Sequence, residues 1–166
     1  HTYAHVSLSE DGATLATGSW ADTINGYVRV FDWNGTAWVQ RGNDLEGDGN
    51  ADGHGIVSIT GDGSSIAIGA WGGETANGNN SGYVRVYDWN GSAWSQRGNS
   101  IIGDEAESWF GSDAVISDDG NILAVSAPWH DGNGNDSGKV QIFYWNGTAW
   151  TQRGSDIFGE TANFVF

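Results

Sequence analysis

The sequence predicts an all-β fold: a β-propeller of three four-stranded antiparallel blades. Three observations carry that expectation. The segment Gly26-Tyr27-Val28-Arg29-Val30-Phe31-Asp32-Trp33-Asn34-Gly35-Thr36-Ala37-Trp38 returns at Gly82–Trp94 and, more loosely, at Gly138–Trp150, with a step of 56 residues each time. A fixed step of that size marks stacked supersecondary units, none of which buries its faces alone. The runs between turn residues are short and rich in Val, Ile, Tyr, Phe and Trp, which favours strands over helices. Both faces of the recurring strand are largely apolar. Tyr83, Arg85, Tyr87 and Trp89 alternate with Val84, Val86 and Asp88, so the sheet is covered on both sides.

The elements follow in chain order. Val6–Ser9 and Thr14–Gly18 flank Asp11-Gly12 and read as the first hairpin, repeated around Asp62-Gly63 and Asp119-Gly120. A longer loop follows. Then Tyr27–Trp33 is expected to pair with Thr36–Gln40 across Asn34-Gly35, since Asn-Gly accepts both left-handed positions of a type I′ turn. Asn90-Gly91 and Asn146-Gly147 repeat that turn. One propeller segment, 1–166, thus divides into blades at about 4–53, 54–109 and 110–166. A linear β-solenoid fits less well, because its repeats hold about one strand per short coil.

Composition narrows the functional classes. Of 166 residues, 27 are Gly and ten are Trp, with one Pro and neither Cys nor Met. Disulfides and thiolate metal sites are excluded. Six Lys and Arg against 21 Asp and Glu give a net charge of −15, which disfavours nucleic acid and anionic membrane partners. No run of ~18 apolar residues suggests a membrane-crossing helix. The lack of a methionine suggests a processed chain or a piece of a longer one.

Phe110-Gly111, Ile116-Ser117-Asp118-Asp119-Gly120 and Ser126-Ala127-Pro128, followed by Gly138-Lys139-Val140, resemble an FG-GAP repeat, the blade type of integrin-α-like propellers. The second and first copies carry Gly69-Ala70-Trp71 and Gly18-Ser19-Trp20 at the triplet, and His54-Gly55 stands at a Phe-Gly position. The resemblance runs the length of the chain and implies a secreted or lumenal propeller that binds a protein or surface through its loops. WD and kelch repeats fit less well in period and motif order. Propellers hold ~4–8 blades, so three do not close a ring. Further blades are expected from the same longer chain or from another copy.

Several residues are candidates for chemistry. Asp48-Gly49-Asn50-Ala51-Asp52-Gly53 has the alternating oxygen pattern of calcium loops, and Asp131, Asn133 and Asn135 form a second oxygen-rich loop. The later ligand is missing from the first: Ile56 and Ile59 fall where an acid would stand. The integrin-type site is therefore not carried over, and both loops also read as solvated turns. Trp20, Trp71 and Trp129 stand at strand ends entering the variable loops and are the candidate ligand-stacking residues. Trp33, Trp38, Trp89, Trp94, Trp145 and Trp150 read as packing between blades and cross-strand pairs. Asn34, Asn90 and Asn146 lie in glycosylation sequons. Arg41, Arg97 and Arg153 recur and are expected to reach an aspartate of an adjacent blade. No nucleophile motif is present, and the four histidines fall at unrelated repeat positions. The functional expectation is a non-enzymatic interaction module without an obligate cofactor, calcium apart. A carbohydrate-binding propeller is the alternative.

Overall fold

The computed structural model describes residues 2–21, 24–49 and 52–162; the side chains of 2, 3, 20, 21, 24 and 25 lie outside the description, as do residues 1, 22, 23, 50, 51 and 163–166 entirely. The first sheet comprises β1 (Thr2–Leu8), β2 (Thr14–Ala21), β3 (Ile24–Trp33), β4 (Trp38–Gln40) and β5 (Leu45–Glu46). The second comprises β6 (His54–Ile59), β7 (Ser65–Ala70), β8 (Tyr83–Trp89), β9 (Trp94–Gln96) and β10 (Ile101–Ile102). The third comprises β11 (Ala114–Ile116), β12 (Ile122–Ala127), β13 (Lys139–Trp145), β14 (Trp150–Gln152) and β15 (Ile157–Phe158). Among the described residues there is no helix.

Each sheet is antiparallel, with its strands in chain order. The fourth strand is divided. β4 pairs with the end of β3 at Phe31–Trp33, and β5 pairs with its start at Tyr27–Val28. The same split recurs in the other sheets. Strand alternation then sorts the side chains. Ala16, Val28 and Val30 of the first sheet meet Val57, Ile59, Ile66 and Ile68 of the second. From the other side of the second sheet, Ala67, Val84 and Val86 meet Ala114, Ile116, Leu123, Val125 and Phe143. The core therefore lies between sheets, and the second sheet is buried on both faces. Ile66, Ile68, Val84 and Val86 are all essentially inaccessible, each contributing roughly 1.5–3 kcal/mol by burial.

The sheets are joined by a lock that the repeat writes twice. Trp94 donates its indole N–H to the carbonyl of Arg41 (3.1 Å), and Trp150 donates to that of Arg97 (3.2 Å). The Arg41 guanidinium donates to Asp32 (2.7 Å) and across the joint to the Gly63 carbonyl (2.6 Å). Arg97 does the same with Asp88 (2.7 Å) and Gly120. Gly42 and Gly98 lie under the indoles of the next sheet. A Cβ at either would stand 2.8 Å from Trp89 or Trp145. This corrects one expectation: each aspartate belongs to the arginine's own sheet, and the neighbouring sheet is reached through a backbone carbonyl.

The Asn-Gly hairpins are also corrected. Trp33 faces Trp38, not Thr36. The Asn34 amide donates to Ala37 (3.1 Å). The returning amides of Thr36 and Ala37, however, donate to the Asn34 side-chain oxygen, each at 3.0 Å. An Asn side chain that captures two amides holds the turn open. Only Gly35, at φ +98°, takes the left-handed region there, so the turn is not type I′. The shift brings the two indoles opposite one another at 5.6 Å, with 5.3 and 5.6 Å in the later copies. Four of the six indoles pack between sheets, and two do not. Trp89, Trp94, Trp145 and Trp150 are half-buried by the preceding sheet, whereas Trp33 and Trp38 are 46% and 42% exposed.

Candidate ligand-binding face

In an antiparallel sheet, the connection after the second strand and the link to the next sheet leave from the same end. Residues 71–82, 103–113 and 128–138 therefore gather on one face of the stack. The Asp-Gly turns and Asn-Gly hairpins gather on the other. Asn34, Asn90 and Asn146 are exposed on that second face, and each side-chain oxygen accepts backbone amides of its own turn.

The loops of the first face hold one another. Thr75 and Gly78 exchange backbone hydrogen bonds (3.2 and 3.1 Å), and Asn77 donates to the Gly103 carbonyl (2.8 Å). The amides of Glu107 and Trp109 donate to the carbonyls of Asn79 and Asn80, and the Trp129 amide to that of Ser108. Asn80 donates its side-chain amide to Glu107 (2.8 Å), and Nε2 of His130 stands 3.0 Å from Glu105.

This scaffold aligns three tryptophans. Trp71 and Trp109 have ring centroids 4.6 Å apart with planes 35° apart, and Trp109 meets Trp129 edge-on at 5.6 Å. Trp129 is 39% exposed at the end of the row; Trp71 and Trp109 are half-buried. Trp109 takes φ +56°, flanked by Asn80 at +48° and Glu107 at +60°. Bulky side chains rarely adopt that region, which costs of order 1–3 kcal/mol, and such residues cluster at functional sites. The structure thus links two of the candidate residues, Trp71 and Trp129, through Trp109, a residue that the repeat did not single out. Trp109 is the one tryptophan outside the three recurring positions. That irregularity was the available signal. The side chain of Trp20 lies outside the described residues.

Beside the row is a cavity of about 600 Å³ lined by Asp48, Asp52, Glu74, Asn79, Asn80 and Tyr83, among others. Its acids are not arranged around an empty point. Asp48 pairs with Arg85, whose hydrogen bond holds the carboxyl below its ordinary range despite partial burial. Asp52 is buried and accepts the amides of Asp48 (2.9 Å) and His54 (3.0 Å) and the hydroxyl of Tyr83 (3.0 Å). Asn50 lies outside the described residues. In the second candidate loop, Asp131 accepts the Asp136 amide (2.8 Å), Asn133 donates to Gly159 (3.1 Å), and Asn135 donates to Asp136 (2.6 Å). Among the described residues, no group of three or more His, Cys, Asp or Glu side chains is placed to hold a metal ion. Among the described residues, the carboxylates of Asp48, Asp52 and Asp131 are taken up by protein donors.

Cations on this face are paired with acids. Lys139 is buried with its ammonium 2.6 Å from Asp104 and 3.8 Å from Asp156. Burial opposes ionisation of Asp104, but the lysine's hydrogen bond and charge outweigh it, and the carboxyl lies below its usual range. The face therefore offers indole surface, amides and carboxylates. That set suits a neutral, hydroxyl-rich ligand better than an anion.

No family model and no curated protein matches the chain. Among solved structures it is similar to a Bacteroides fragilis protein with a provisional 6-phosphogluconolactonase assignment. The TM-score is 0.62 at 17% identity, covering 95% of this chain and 39% of that one. A Bacteroides uniformis protein with the same provisional assignment gives 0.63 at 15%, covering 96% and 42%. TolB from Acinetobacter baumannii gives 0.54 at 12%, covering 92% and 32%. The chain thus spans about two fifths of the length of the two Bacteroides proteins. At these identities the likeness is one of fold, and the propeller architecture stands. The expectation of a non-enzyme does not. It rested on missing motifs, and the frame proves to be shared with proteins assigned as lactonases.

Proposed function

We propose that this propeller segment binds a carbohydrate on the tryptophan row of its loop face. The row Trp71–Trp109–Trp129 carries the reading: three indoles in contact, the last exposed, the middle one held in a left-handed backbone that its neighbours enforce. A sugar ring presents C–H surface to an indole and hydroxyls to its surroundings. Asn79, Asn80, Glu107 and Asp131 are amide and carboxylate partners on these loops. Of the two expectations, a protein- or surface-binding module and a carbohydrate binder, the aromatic row favours the second. The provisional substrate of the two Bacteroides proteins is also a sugar derivative, but a phosphorylated one. The cations of this chain's loop face are already engaged by acids, so a neutral saccharide fits it better.

The test is a glycan array followed by titration calorimetry on the best binder. An exposed aromatic contact is worth ~0.5–1.5 kcal/mol, so Trp129→Ala is expected to weaken binding about three- to tenfold with the fold intact. A wild-type chain that binds no glycan on the array sinks the reading.

A further inference from the structure

We infer that the chain docks head to tail on a second copy of itself, the outer face of its first sheet against the outer face of its third. The inference is independent of the carbohydrate reading and rests on the joints between sheets.

Each internal joint buries one kind of face against another. The second sheet offers the first sheet Val57, Ile59, Trp89 and Trp94, and Val57 and Ile59 are 8% and 6% exposed. The register places Val6, Leu8, Trp33 and Trp38 at the same positions of the first sheet. There Val6 is 70% and Leu8 54% exposed, with the Trp33–Trp38 pair beside them. The first sheet thus presents an indole pair with no Arg-Gly turn beneath it. The third sheet presents the converse. Arg153-Gly154 repeats Arg41-Gly42 and Arg97-Gly98, yet nothing lies within 4 Å of a Cβ placed on Gly154. Among the described residues, the Arg153 guanidinium makes no hydrogen bond or ion pair, unlike its two counterparts. It lines an open groove of about 340 Å³ with Ile122, Tyr144 and Trp145. A plug without a socket and a socket without a plug stand on one chain.

The details of the third face select a first sheet as its occupant. At both internal joints a backbone carbonyl at or before the first strand of the following sheet presses toward a glycine. A Cβ on Gly18 would stand 1.9 Å from the Gly55 oxygen, and one on Gly69 2.2 Å from that of Gly111. The third sheet has Ser126 at this position, which leaves no room for such a carbonyl. β1 brings none: it pairs with β2 without a break from Thr2 to Leu8, whereas β6 slips between His54 and Ile56. Three further positions of the third face exchange polar joint residues for apolar ones. Val115 replaces Ser7 and Ser58, which accept the amides of Ile59 and Ile116. Ile122 replaces Thr14 and Ser65, and Tyr144 replaces Asp32 and Asp88. These changes match the exposed Val6 and Leu8 of an incoming first sheet. Arg153 keeps its partner in that arrangement, because Gly12 holds the position of Gly63 and Gly120, with φ +70° against +69° and +71°.

The two faces differ, so the joint is heterologous and closes only if the rotation returns to its start. Two chains supply six blades, within the ~4–8 of propellers. The expected species is therefore a closed pair at twice 17.6 kDa.

Sedimentation equilibrium of the 166-residue chain tests this. A two-chain species that gives way to single chains on dilution is expected. One-chain mass at every concentration overturns the inference and assigns the two faces to other partners. Val6→Glu and Val115→Glu each place a charge at a site that is exposed in the single chain, so near-UV circular dichroism should match that of wild type diluted to single chains. Each variant alone is expected to associate at least tenfold more weakly. An equimolar mixture should recover a two-chain species, through the one unaltered joint that the mixture still permits. Variants that assemble like wild type, or a mixture that stays single-chain while wild type assembles, overturn the pairing of these two faces.

Discussion

His54 shows how much one side chain can carry when water cannot reach it. Its ring is inaccessible, with neither nitrogen hydrogen-bonded among the described residues, and it stands 6.4 Å from the Tyr83 ring. Burial is the main cause that lowers its pKa to about 4; Arg85 adds to the shift, and Asp52 and Asp48 oppose it. The folded chain therefore holds the ring neutral while the unfolded chain protonates near the ordinary value of 6.5. The stability this represents is present above about pH 6.5 and is lost progressively as pH falls toward 4. At ~1.4 kcal/mol per unit the loss amounts to roughly 3 kcal/mol. Urea unfolding at about pH 7 and about pH 4.5 should show it, and His54→Phe should flatten it. A wild-type chain equally stable at both pH values would contradict the account. Below that window a second loss is expected. Backbone and side-chain hydrogen bonds hold Asp11, Asp62 and Asp119 below the usual carboxylate range, and these groups stabilise the fold only while ionised. None of the burial of His54 is visible in the sequence, where it occupies a Phe-Gly position as a lone histidine. Trp109 was half visible, as the tryptophan that broke the repeat. Its left-handed backbone was not, because it depends on loop contacts with Asn80 and Ser108.

At the scale of the element, the Arg-Gly turn that divides the outer strand is the part to test. Gly98 and Gly154 have φ of +72° and +80°, but only Gly98 lies against indoles. Alanine at either meets the backbone cost of ~1 kcal/mol for φ above zero. At Gly98 it also meets overpacking of ~1–3 kcal/mol. In the Val6→Glu background, which keeps the chain single, urea unfolding should find Gly98→Ala less stable than Gly154→Ala by about that second amount. Equal losses would show that the indoles do not press on the turn. The elements themselves were largely legible. Period-two alternation and turn dipeptides placed the strands, and the double-sided apolar pattern of residues 83–89 announced stacking. The hairpin register was not legible, since Asn34-Gly35 carries a type I′ signature that the Asn34 side chain overrides by taking the Thr36 and Ala37 amides. The arginine's partners were misread for a related reason. Repetition shows that Arg41 and Asp32 recur together, but not whether they meet within a sheet or across a joint.

For the whole molecule, charge and stacking oppose one another. Each chain carries −15, so association of two copies works against long-range repulsion. Raising salt from ~0.1 to ~1 M shortens the reach of charge from ~10 to ~3 Å. The apolar joint is not weakened by that change, so the two-chain species should become more prevalent. Sedimentation at the two concentrations checks this, and dissociation by salt would point to a polar joint instead. That the chain holds a stack of blades could be read from three copies at 56-residue steps. Which faces stay open could not, because the departures that mark them, Val115, Ile122, Ser126 and Tyr144, look like ordinary drift until the joints are seen.

The divided outer strand has one more effect. A sheet's last strand displays unpaired amides and carbonyls, and a long, flat one invites other chains to add on and grow into amyloid-like fibrils. Here every such edge is cut into pieces of three and two residues. A stack that leaves apolar faces open is thereby kept from recruiting strangers along its rim. Along that rim, association is left to the direction in which sheets pile face on face.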